Sequence, residues 1–458
     1  MTLRELVPRE SEIAVVGLAR SGRAVATLLR KHGYNVYASD LASSPETGRI
    51  AEELRALGII VDVGRHDLDR LARASLVVTS PGVPPSARPL AFAREKGIRI
   101  ASEVEVALHF LEGPRVIGVT GTNGKTTTTA LIAHLLRGLD LEAVEAGNIG
   151  TPLSEIAARE QQPKWISLEM SSFQLHDTPS LKPQVGVLTN LSPDHLDRYS
   201  SVDEYYADKA RFFANADGDS VWVVNDDDDA VKRMVRDVAG HKYPFSLSRE
   251  ESGYFDSRTN QLVVLGAPLL PRKDLPLLGP HNVANALAAS LAVMAADRSH
   301  QTQKARKGIA AALRTFRSLP HRLELVGEYD GVQWINDSKA TNVSSAAVAI
   351  DGMERPTVLL LGGRHKGEAY TPLVDAVKKN VKRVIAYGEA APIIATDLRP
   401  VVDVVRLGSD FDEVIRAARA AARAGEAVLL SPACSSYDMF SNYEERGERF
   451  RTLAAKEA

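Results

Sequence analysis

Short runs of apolar, β-favouring residues alternate with stretches of helical periodicity along most of the chain. The first run, Ile13–Val16, precedes a stretch with the apolar spacing of a helix, Gly22–His32. The later runs are Val36–Asp40, Leu76–Thr79, Val116–Val119, Trp165–Leu168, Val185–Leu188, Val221–Val224, Trp334–Ile335, Val358–Leu361, Val384–Tyr387 and Val428–Leu430. Strands that alternate with helices are typical of α/β proteins with mostly parallel sheets.

The runs fall into three series, and 458 residues fit about three domains of ordinary size. We predict a first joint near Glu103, before the strand that opens the second series, and a second near Leu319, where a helical region ends at Pro320. The predicted domains are therefore residues 1–104, 105–318 and 319–458. Within the second, Ala286–Ala296 predicts a buried helix, and the acidic run Asp226–Asp229 predicts a helix start with solvated carboxylates.

Composition changes this picture little. The chain is 44% hydrophobic and 25% charged, with a net charge of -2, which favours small-molecule partners over nucleic acid or a membrane surface. Cys434 is the single cysteine, so no disulfide can form within the chain and a reducing compartment fits. The first residues are charged and lack the apolar stretch of a signal peptide. We expect a cytoplasmic protein that binds neither nucleic acid nor membranes.

A glycine-rich segment, Gly118–Thr128, lies between an apolar strand and a helical pattern. Glycines let backbone N–H groups approach phosphate oxygens, and the helix N-terminus adds a positive dipole. Lys125 can then reach the β- and γ-phosphates, and the Thr126 hydroxyl can bind Mg²⁺. Val119 stands where the general phosphate-loop pattern has its first glycine. The predicted nucleotide-binding residues of this loop are Gly121, Thr122, Asn123, Gly124, Lys125, Thr126 and Thr127.

Carboxylates and a histidine follow two further strands. Glu169 closes the strand that begins at Trp165, and Asp194, His195 and Asp197 follow the strand that ends at Leu188. The carboxyl ends of strands are where α/β folds place metal and ligand groups. Glu169 could instead cap the next helix, and a histidine in a polar loop is often a surface residue. Beside a phosphate loop, a metal or phosphate role is favoured.

The first strand leads into a second glycine turn, Gly17–Gly22, which opens a helix. Asp40 closes the next strand about 20 residues on, so the turn alone suggests an NAD-type site. Ala19 replaces the middle glycine of that fingerprint. Any pyrophosphate could occupy the same geometry, and a structural turn without a ligand stays open.

The motifs together resemble those of the Mur ligases of peptidoglycan synthesis. The matching segments are Gly121–Thr126, Leu168–Leu175, Asp194–Tyr199, Pro320–Glu324, Trp334–Asn342 and Leu430–Phe440. The last three are similar to the D-glutamate-adding members of that family. The sequence departs from the pattern at Thr126, where a serine is common, and at Ser435–Tyr437.

The resemblance implies a three-domain α/β fold: a Rossmann-like N-terminal domain, a central phosphate-loop ATPase domain with a mostly parallel sheet, and a Rossmann-like C-terminal domain. It implies an ATP-dependent amide ligase in which the carboxylate of UDP-N-acetylmuramoyl-L-alanine attacks the γ-phosphate and D-glutamate attacks the resulting acyl phosphate. The implied cofactors are ATP and Mg²⁺ at two sites. We expect a monomer whose third domain closes when ligands bind.

The resemblance also implies roles for individual residues. Lys125 neutralises γ-phosphate charge, Thr126 and Glu169 hold one Mg²⁺, and His195 helps to hold a second. The helical spacing of Asp203–Phe213 alone predicts that Lys209 faces solvent. The resemblance implies instead that this lysine is carbamylated and supports Mg²⁺, which makes it a fourth catalytic and metal-site candidate.

The remaining candidates come from the same resemblance. Further ATP contacts are expected at His281, Asn282, Asn285, Arg322 and Asp337. The UDP group is expected at Arg20, Ser21, Asp40, Gly82 and Asn148. The amino acid is expected at Lys339, Thr341, Lys366, Ser436, Phe440 and Tyr443.

Two other functions stay open from sequence. A sister ligase would add a different amino acid, or add glutamates to a folate-like substrate, and the motif Asp337–Asn342 argues against it. A non-catalytic nucleotide-dependent binding protein is opposed by Lys125, Glu169, His195 and Lys209.

Overall fold

A computed structural model describes residues 3, 7–8, 10–194 and 198–455 of the chain. Within these residues the strands form sheets of five, nine and six strands. The chain packs as two compact units, Met1–Leu270 with Asn285–Leu313, and Pro271–Ala284 with Arg314–Ala458. The first sheet, and the second except for Pro271 at its end, belong to the first unit, which contains the limit predicted at residue 104. No helix in the described ranges has the length and apolar character needed to span a bilayer.

The first sheet is parallel, in the order β3-β2-β1-β4-β5. Its strands are β1 Glu12–Val16, β2 Asn35–Asp40, β3 Ile60–Val63, β4 Ala74–Thr79 and β5 Ile100–Ser102. The helices of this region are α1 Arg20–Lys31, α2 Pro45–Ala56, α3 Leu68–Leu71, α4 Arg88–Glu95 and α5 Glu103–Leu108. Alternate β1 residues enter different cores, Ile13 and Val15 on one face and Ala14 and Val16 on the other. The sheet is therefore covered on both faces, as parallel sheets are.

The second sheet has the order β14-β13-β12-β11-β10-β9-β6-β8-β7. Its strands are β6 Arg115–Thr120, β7 Ala143–Gly147, β8 Trp165–Glu169, β9 Val185–Leu188, β10 Val221–Asn225, β11 His241–Ser246, β12 Gly253–Asp256, β13 Gln261–Val264 and β14 Ala267–Pro271. The strands from β7 to β12 pair in parallel, and β13 is antiparallel to β12. The parallel part brings the carboxyl ends of β6, β8 and β9 to one edge, where the phosphate loop lies.

Helices and short 3₁₀ turns complete this part of the chain. The α-helices are α6 Lys125–Arg137, α7 Leu153–Ala157, α8 Ser172–His176, α9 Val202–Ala210, α10 Asp229–Val235, α11 Pro280–Ala296 and α12 Gln303–Thr315. The 3₁₀ turns are Arg211–Phe213, Arg272–Asp274 and Arg298–Gln301. The buried helix predicted at Ala286–Ala296 is the buried part of α11. The division between the two units falls within α11, after Ala284.

The acidic run before α10 lies at a helix start, as predicted, and none of its four aspartates is buried. Asp228 caps the helix as expected, because its side chain accepts from the backbone N–H groups of Ala230 and Val231. Asp227 is exposed, and its carboxylate also makes local hydrogen bonds. It accepts from the hydroxyls of Ser246 and Ser248 on the neighbouring strand end, so it serves as a local anchor.

The third sheet, in the second unit, has the order β15-β16-β20-β17-β18-β19, with β15 antiparallel to β16 and the others parallel. Its strands are β15 Glu324–Tyr329, β16 Val332–Asn336, β17 Thr357–Gly362, β18 Val381–Tyr387, β19 Asp403–Arg406 and β20 Ala427–Leu430. Its helices are α13 Val343–Asp351, α14 Val374–Asn380, α15 Ala391–Leu398, α16 Phe411–Ala421 and α17 Tyr443–Ala455, with a 3₁₀ turn at Thr371–Leu373. Every run predicted as a strand lies in one of the observed strands, and the mostly parallel α/β architecture is confirmed.

Candidate active site

The phosphate loop connects β6 to α6 in a conformation that requires glycine. Gly121 and Gly124 have φ angles of 139° and 81°, which side chains rarely tolerate. A Cβ on Gly121 would lie 2.1 Å from the Thr189 hydroxyl, and one on Gly124 would lie 2.5 Å from Asn285 Oδ1. Gly124 is the N-cap of α6, so the positive end of a 13-residue helix begins where the loop ends. The backbone is thus built to receive an anion.

Residues at the end of the neighbouring strand β9 hold this loop in place. Asn190 accepts from Asn123 N at 2.8 Å and donates its own amide to Asn123 O at 2.9 Å. The Thr189 hydroxyl donates to the same carbonyl at 2.6 Å, and Asn190 O accepts from Thr122 N at 2.9 Å. Thr189 and Asn190 are not among the site residues predicted from sequence. Their position after a strand beside β6 is the signal that could have found them.

Two lysines converge on one carbonyl oxygen of the loop. Lys125 Nζ donates to Gly121 O at 2.9 Å and to Thr122 O at 2.5 Å. Lys209 Nζ donates to the same Gly121 O at 2.8 Å and to the Thr120 hydroxyl at 3.1 Å. Two amine groups thus lie together beside the phosphate-binding turn, so a positive charge on one disfavours a positive charge on the other.

Lys209 is 1% exposed, so the solvent-facing position predicted from helical spacing is wrong. The reason is that α9 packs its inner face against the phosphate loop. Tyr205, one turn before Lys209, contributes to this packing, because its hydroxyl lies 3.0 Å from the Thr122 hydroxyl. Burial, and then the nearby Lys125 charge, hold the pKa of Lys209 well below its usual value.

Glu169 ends β8 directly beside the loop, in register with Val119 of β6. One carboxylate oxygen accepts from the Asn148 amide at 2.8 Å, while the other is buried and has no hydrogen-bond partner among the described residues. Glu169 does not cap the next helix, since Ser171 fills that role in a capping box with Gln174. A buried, uncompensated carboxylate oxygen is a ligand that a hard cation prefers.

The donor set fits Mg²⁺ bound together with phosphate oxygens. The second oxygen donor expected from sequence, Thr126, is buried in the first turn of α6. Nowhere in the described ranges do three His, Cys, Asp or Glu side chains cluster as a metal site on their own. Mg²⁺ commonly takes one or two protein oxygens and completes its shell with substrate phosphates and water. His195, predicted to hold a second ion, lies outside the described residues.

A separate cavity of about 980 Å³ lies at the carboxyl ends of β1, β2 and β4. All the residues predicted to bind the UDP group line it, namely Arg20, Ser21, Asp40, Gly82 and Asn148. Asp40 also shapes the turn, because its two oxygens accept from the backbone N–H groups of Leu18 and Ala42. The volume is sufficient for a nucleotide-sized ligand.

The cavity and the phosphate loop share one residue. Asn148 lines the cavity and also donates its side-chain amide to Glu169. Arg20 on the other wall donates to Gly150 O at 2.9 Å, two residues after Asn148. The segment after β7 therefore connects the two predicted ligand positions within the first unit.

The other predicted nucleotide contacts are divided between the two units. Asn285 belongs to the first unit, where its Oδ1 accepts from the Thr128 hydroxyl at 3.3 Å. His281 and Asn282 belong to the second, and the Asn282 amide donates to Leu278 O at 2.8 Å. Burial lowers the pKa of His281 to about 4, so its imidazole is neutral at physiological pH.

Arg322 and Asp337 also lie in the second unit. Asp337 is buried and accepts from the Ser431 hydroxyl at 2.8 Å and from Leu323 N at 3.2 Å. Burial raises the pKa of Asp337 to about 7, against the effect of these hydrogen bonds. ATP contacts at these residues stay a prediction.

The residues predicted for the amino acid gather at one edge of the third sheet. Lys339 and Thr341 follow β16, Lys366 follows β17, and Ser436 and Phe440 follow β20, while Tyr443 begins α17. These three strands are neighbours and run in parallel, so their carboxyl ends lie side by side. Lys339 Nζ lies 5.2 Å from the centre of the Tyr443 ring. Lys366 is exposed and Ser436 is buried.

Comparison with known families agrees with this geometry. Residues 11–102 match the Mur ligase MurD-like N-terminal domain, residues 119–293 the Mur ligase middle domain, and residues 321–434 the Mur ligase glutamate ligase domain. The chain belongs to the Mur ligase family, a class of ATP-dependent ligases.

Among its relatives are proteins named UDP-N-acetylmuramoylalanine–D-glutamate ligase. The one from Acidobacterium capsulatum is 39% identical over 96% of this chain and 95% of its own length. The one from Desulfatibacillum aliphaticivorans is also 39% identical, over 96% of this chain and 97% of its own length. The fold resembles that of UDP-N-acetylmuramate-alanine ligase MurC from Thermotoga maritima, with a TM-score of 0.60, 18% identity and coverage of 98% of this chain and 100% of that one.

Proposed function

We propose that this chain is a ligase that uses ATP to join D-glutamate to the carboxylate of UDP-N-acetylmuramoyl-L-alanine. One structural observation carries the activation step: two lysines donate to Gly121 O, and the adjacent strand ends at Glu169, one of whose oxygens has no hydrogen-bond partner within the described part of the chain. The named relatives, similar along nearly the whole chain, support the two substrates. The product belongs to peptidoglycan precursor synthesis, and we assign the enzyme to the cytoplasm as a monomer.

The first step transfers the γ-phosphoryl group of ATP to the substrate carboxylate. The glycine turn and the α6 N-terminus bind the phosphates, and Lys125 leaves its carbonyl partners to neutralise the charge that develops on the transferred group. The carboxylate oxygen forms the new P–O bond while ADP leaves with the electrons of the broken one. The protein contributes mainly position and charge.

The UDP end of the acceptor substrate occupies the cavity that Arg20 and Asp40 line. Arg20 and Ser21 supply donors to the pyrophosphate, and Asn148 lies where the substrate leaves this cavity towards Glu169. The substrate carboxylate can then be presented to the phosphate loop. Binding of the UDP end, at a distance from the reacting atoms, thus orients the substrate carboxylate for reaction.

Thr126 and Glu169 are the residues that would hold Mg²⁺ with the ATP phosphates, and His195 would support a second ion. The metal supplies charge neutralisation of the phosphates when it is bound. Asn148 fixes the Glu169 carboxylate by donating to one of its oxygens, and the other oxygen would be the Mg²⁺ ligand.

Lys209 is proposed to react with CO₂. Its neutral amine forms a C–N bond and releases a proton, which leaves a carbamate whose two oxygens share one negative charge. Burial supports this reaction, because it favours the neutral amine that CO₂ requires. The product places a negative charge beside Lys125 and supplies oxygens where metal support is needed.

In the second step the amine of D-glutamate attacks the acyl phosphate, and the tetrahedral intermediate releases phosphate to leave the amide. Lys339, Lys366 and Ser436 are proposed to bind the two carboxylates of the amino acid, with Thr341, Phe440 and Tyr443 lining the same pocket. His281, Asn282, Asn285, Arg322 and Asp337 are proposed to contact ATP.

Phosphate release against a panel of amino acids tests the proposal. With ATP, Mg²⁺ and UDP-N-acetylmuramoyl-L-alanine present, D-glutamate should stimulate release, and L-glutamate, L-alanine and L-lysine should not. Stimulation by another amino acid alone would refute the substrate assignment. Substrate labelled with ¹⁸O in its carboxylate should transfer one label to the released phosphate, and an unlabelled product would refute the acyl phosphate.

A further inference from the structure

Arg446 on α17 is a fully buried arginine whose hydrogen bonds all go to neutral groups. It is 0% exposed. Its Nε donates to the Ser338 hydroxyl at 2.9 Å, and Nη2 donates to Ser338 O at 2.9 Å. Nη1 and Nη2 both donate to Cys434 O at 3.2 Å. Its hydrogen-bond partners are therefore a serine residue and one further backbone carbonyl.

These partners belong to two of the loops that carry the amino-acid candidates. Ser338 is next to Lys339 in the loop after β16, and Cys434 is two residues before Ser436 in the loop after β20. One planar guanidinium thus fixes the two loops to each other and to α17. The Ser338 hydroxyl adds a bond of 2.8 Å to Tyr443 O, so the start of α17 joins the same network.

The third loop, after β17, packs on the same group. Gly363 has a φ of 129°, and a Cβ there would lie 3.1 Å from Arg446 Nη1 and 2.3 Å from Ser435 O. Lys366 follows three residues later. All three loops that carry Lys339, Lys366 and Ser436 therefore meet at Arg446, although Arg446 itself is buried beneath them.

Burying a guanidinium among neutral acceptors costs desolvation free energy. This cost argues that Arg446 does more than fill space in the core. A methionine or leucine would fill a helix–sheet interface without desolvating a charge. Throughout the described ranges, no carboxylate lies within ion-pair distance of Arg446. The planar guanidinium can donate to carbonyls on two separate loops at once, and a lysine ammonium lacks this geometry.

We infer that Arg446 is a positioning residue for amino-acid binding, which holds the loops of Lys339, Lys366 and Ser436 at the spacing that a dicarboxylic amino acid requires. The inference rests on the proposed function, since it assumes that these loops bind D-glutamate. Arg446 does not touch the substrate. Its effect is transmitted through Ser338, Cys434 and the backbone at Gly363.

Steady-state kinetics of Arg446→Met in the full-length protein test the inference. We expect the KM for D-glutamate to rise by at least about tenfold, because displacement of binding groups by about 1 Å has effects of this size or larger. The KM for UDP-N-acetylmuramoyl-L-alanine, whose proposed cavity is in the first unit, should change by less than about twofold. A merely structural arginine would change neither KM in an enzyme that remains folded.

Two further variants separate geometry from charge and from general damage. Arg446→Lys keeps the charge but cannot bridge Ser338 and Cys434, so its KM for D-glutamate should stay raised. Arg449→Met is the matched control on the same helix. It removes only the partly exposed pair with Asp412 (Nη2–Oδ1 2.6 Å), and its KM values should match those of the wild type.

The outcomes are distinguishable from failure of the proposed function. If the wild-type enzyme shows no D-glutamate-dependent phosphate release, the function fails whatever the variants do. If it does, an unchanged KM for D-glutamate in folded Arg446→Met, or a wild-type KM in Arg446→Lys, overturns the inference. If Arg446→Met does not fold, the KM for D-glutamate of Ser338→Ala tests the inference instead. Loss of the hydroxyl contacts with Arg446 Nε and Tyr443 O should raise that KM at least about threefold, and an unchanged value overturns the inference.

Discussion

The first unit contains two glycine turns that begin alike and differ in what lies behind them. Gly17 and Gly121 both end a parallel strand with a positive φ, and both turns open a helix of at least twelve residues. Each turn is crowded by its surroundings, since a Cβ on Gly22 would lie 1.7 Å from Gly17 O and one on Gly124 would meet Asn285. The backbone device is the same in both places.

The side chains around the two turns separate them. Around Gly121 stand Lys125, the buried Lys209 and the buried Glu169. Around Gly17 lie Arg20, on the surface, and Asp40, whose carboxylate oxygens accept hydrogen bonds from nearby backbone N–H groups. The residues around Gly121 can neutralise the charge of a reacting phosphate, whereas those around Gly17 can hold a ligand in an open cavity. A glycine turn therefore provides an anion-binding backbone, and the buried residues beside it determine whether chemistry follows.

The largest expected effect is that of Lys125→Ala, which removes the mobile cation from the phosphate loop. We expect kcat to fall by about a thousandfold, because the charge is needed most in the transition state. Phosphate-release assays at saturating substrates measure this. Lys182→Ala, which breaks a surface pair with Asp217, is the control and should leave kcat unchanged. Full activity of Lys125→Ala would contradict the proposal that the turn at Gly121 takes part in the chemistry while the turn at Gly17 only binds.

Glu169→Gln should have the next largest effect, because the amide puts a donor where the carboxylate offers an unpaired oxygen. We expect kcat to fall about a hundredfold at a fixed Mg²⁺ concentration, and partial recovery as Mg²⁺ is raised. Glu145→Gln on the neighbouring strand β7 loses only a pair with Arg137 and serves as control. A decrease that Mg²⁺ does not alter would contradict the metal assignment.

Arg20→Ala tests the other turn, where binding and not chemistry is proposed. The KM for UDP-N-acetylmuramoyl-L-alanine should rise about tenfold while kcat stays near the wild-type value, as expected for an interaction that the ground and transition states share. Arg23→Ala, three residues later on α1, loses a surface pair with Glu53 and should change neither constant. A large decrease in kcat would show that this turn takes part in the chemistry.

The parts of the fold that sequence predicted well are those with strong periodicity. The buried parallel strands are continuous apolar runs, so they stand out, and the phosphate loop has a local pattern of glycine and lysine. Lys209 could not be placed from its helix alone, because the face that a helix buries depends on what packs against it. In the structure that is the phosphate loop, from a segment about 90 residues earlier in the chain.

Packing between distant segments also explains the residues that sequence analysis missed. Asn190 matters because β9 lies beside β6, and Arg446 because α17 runs under the loops after β16 and β20. Neither residue carries a local signature, since an asparagine after a strand and an arginine in an amphipathic helix are both common. The second unit likewise includes residues 271–284, which precede its sheet in the chain.

The smallest expected effect is also the one that touches both turns, because Asn148 lines the cavity near Gly17 and donates to Glu169 beside Gly121. Asn148→Ala leaves a second Glu169 oxygen without its partner and removes a donor from the cavity wall. We expect about a fivefold increase in the KM for the UDP substrate together with about a fivefold decrease in kcat, the size of one lost hydrogen bond in each place.

The two constants should therefore move together in Asn148→Ala, in contrast to Arg20→Ala and Glu169→Gln, where one constant dominates. A double variant with Glu169→Gln separates the contributions. If Asn148 acts on chemistry only through the Glu169 carboxylate, the kcat effects of the two changes will be less than multiplicative, while the KM effect of Asn148→Ala persists. Fully multiplicative kcat values would mean that the two turns are independent, and that the contact at 2.8 Å between Asn148 and Glu169 does not couple binding to catalysis.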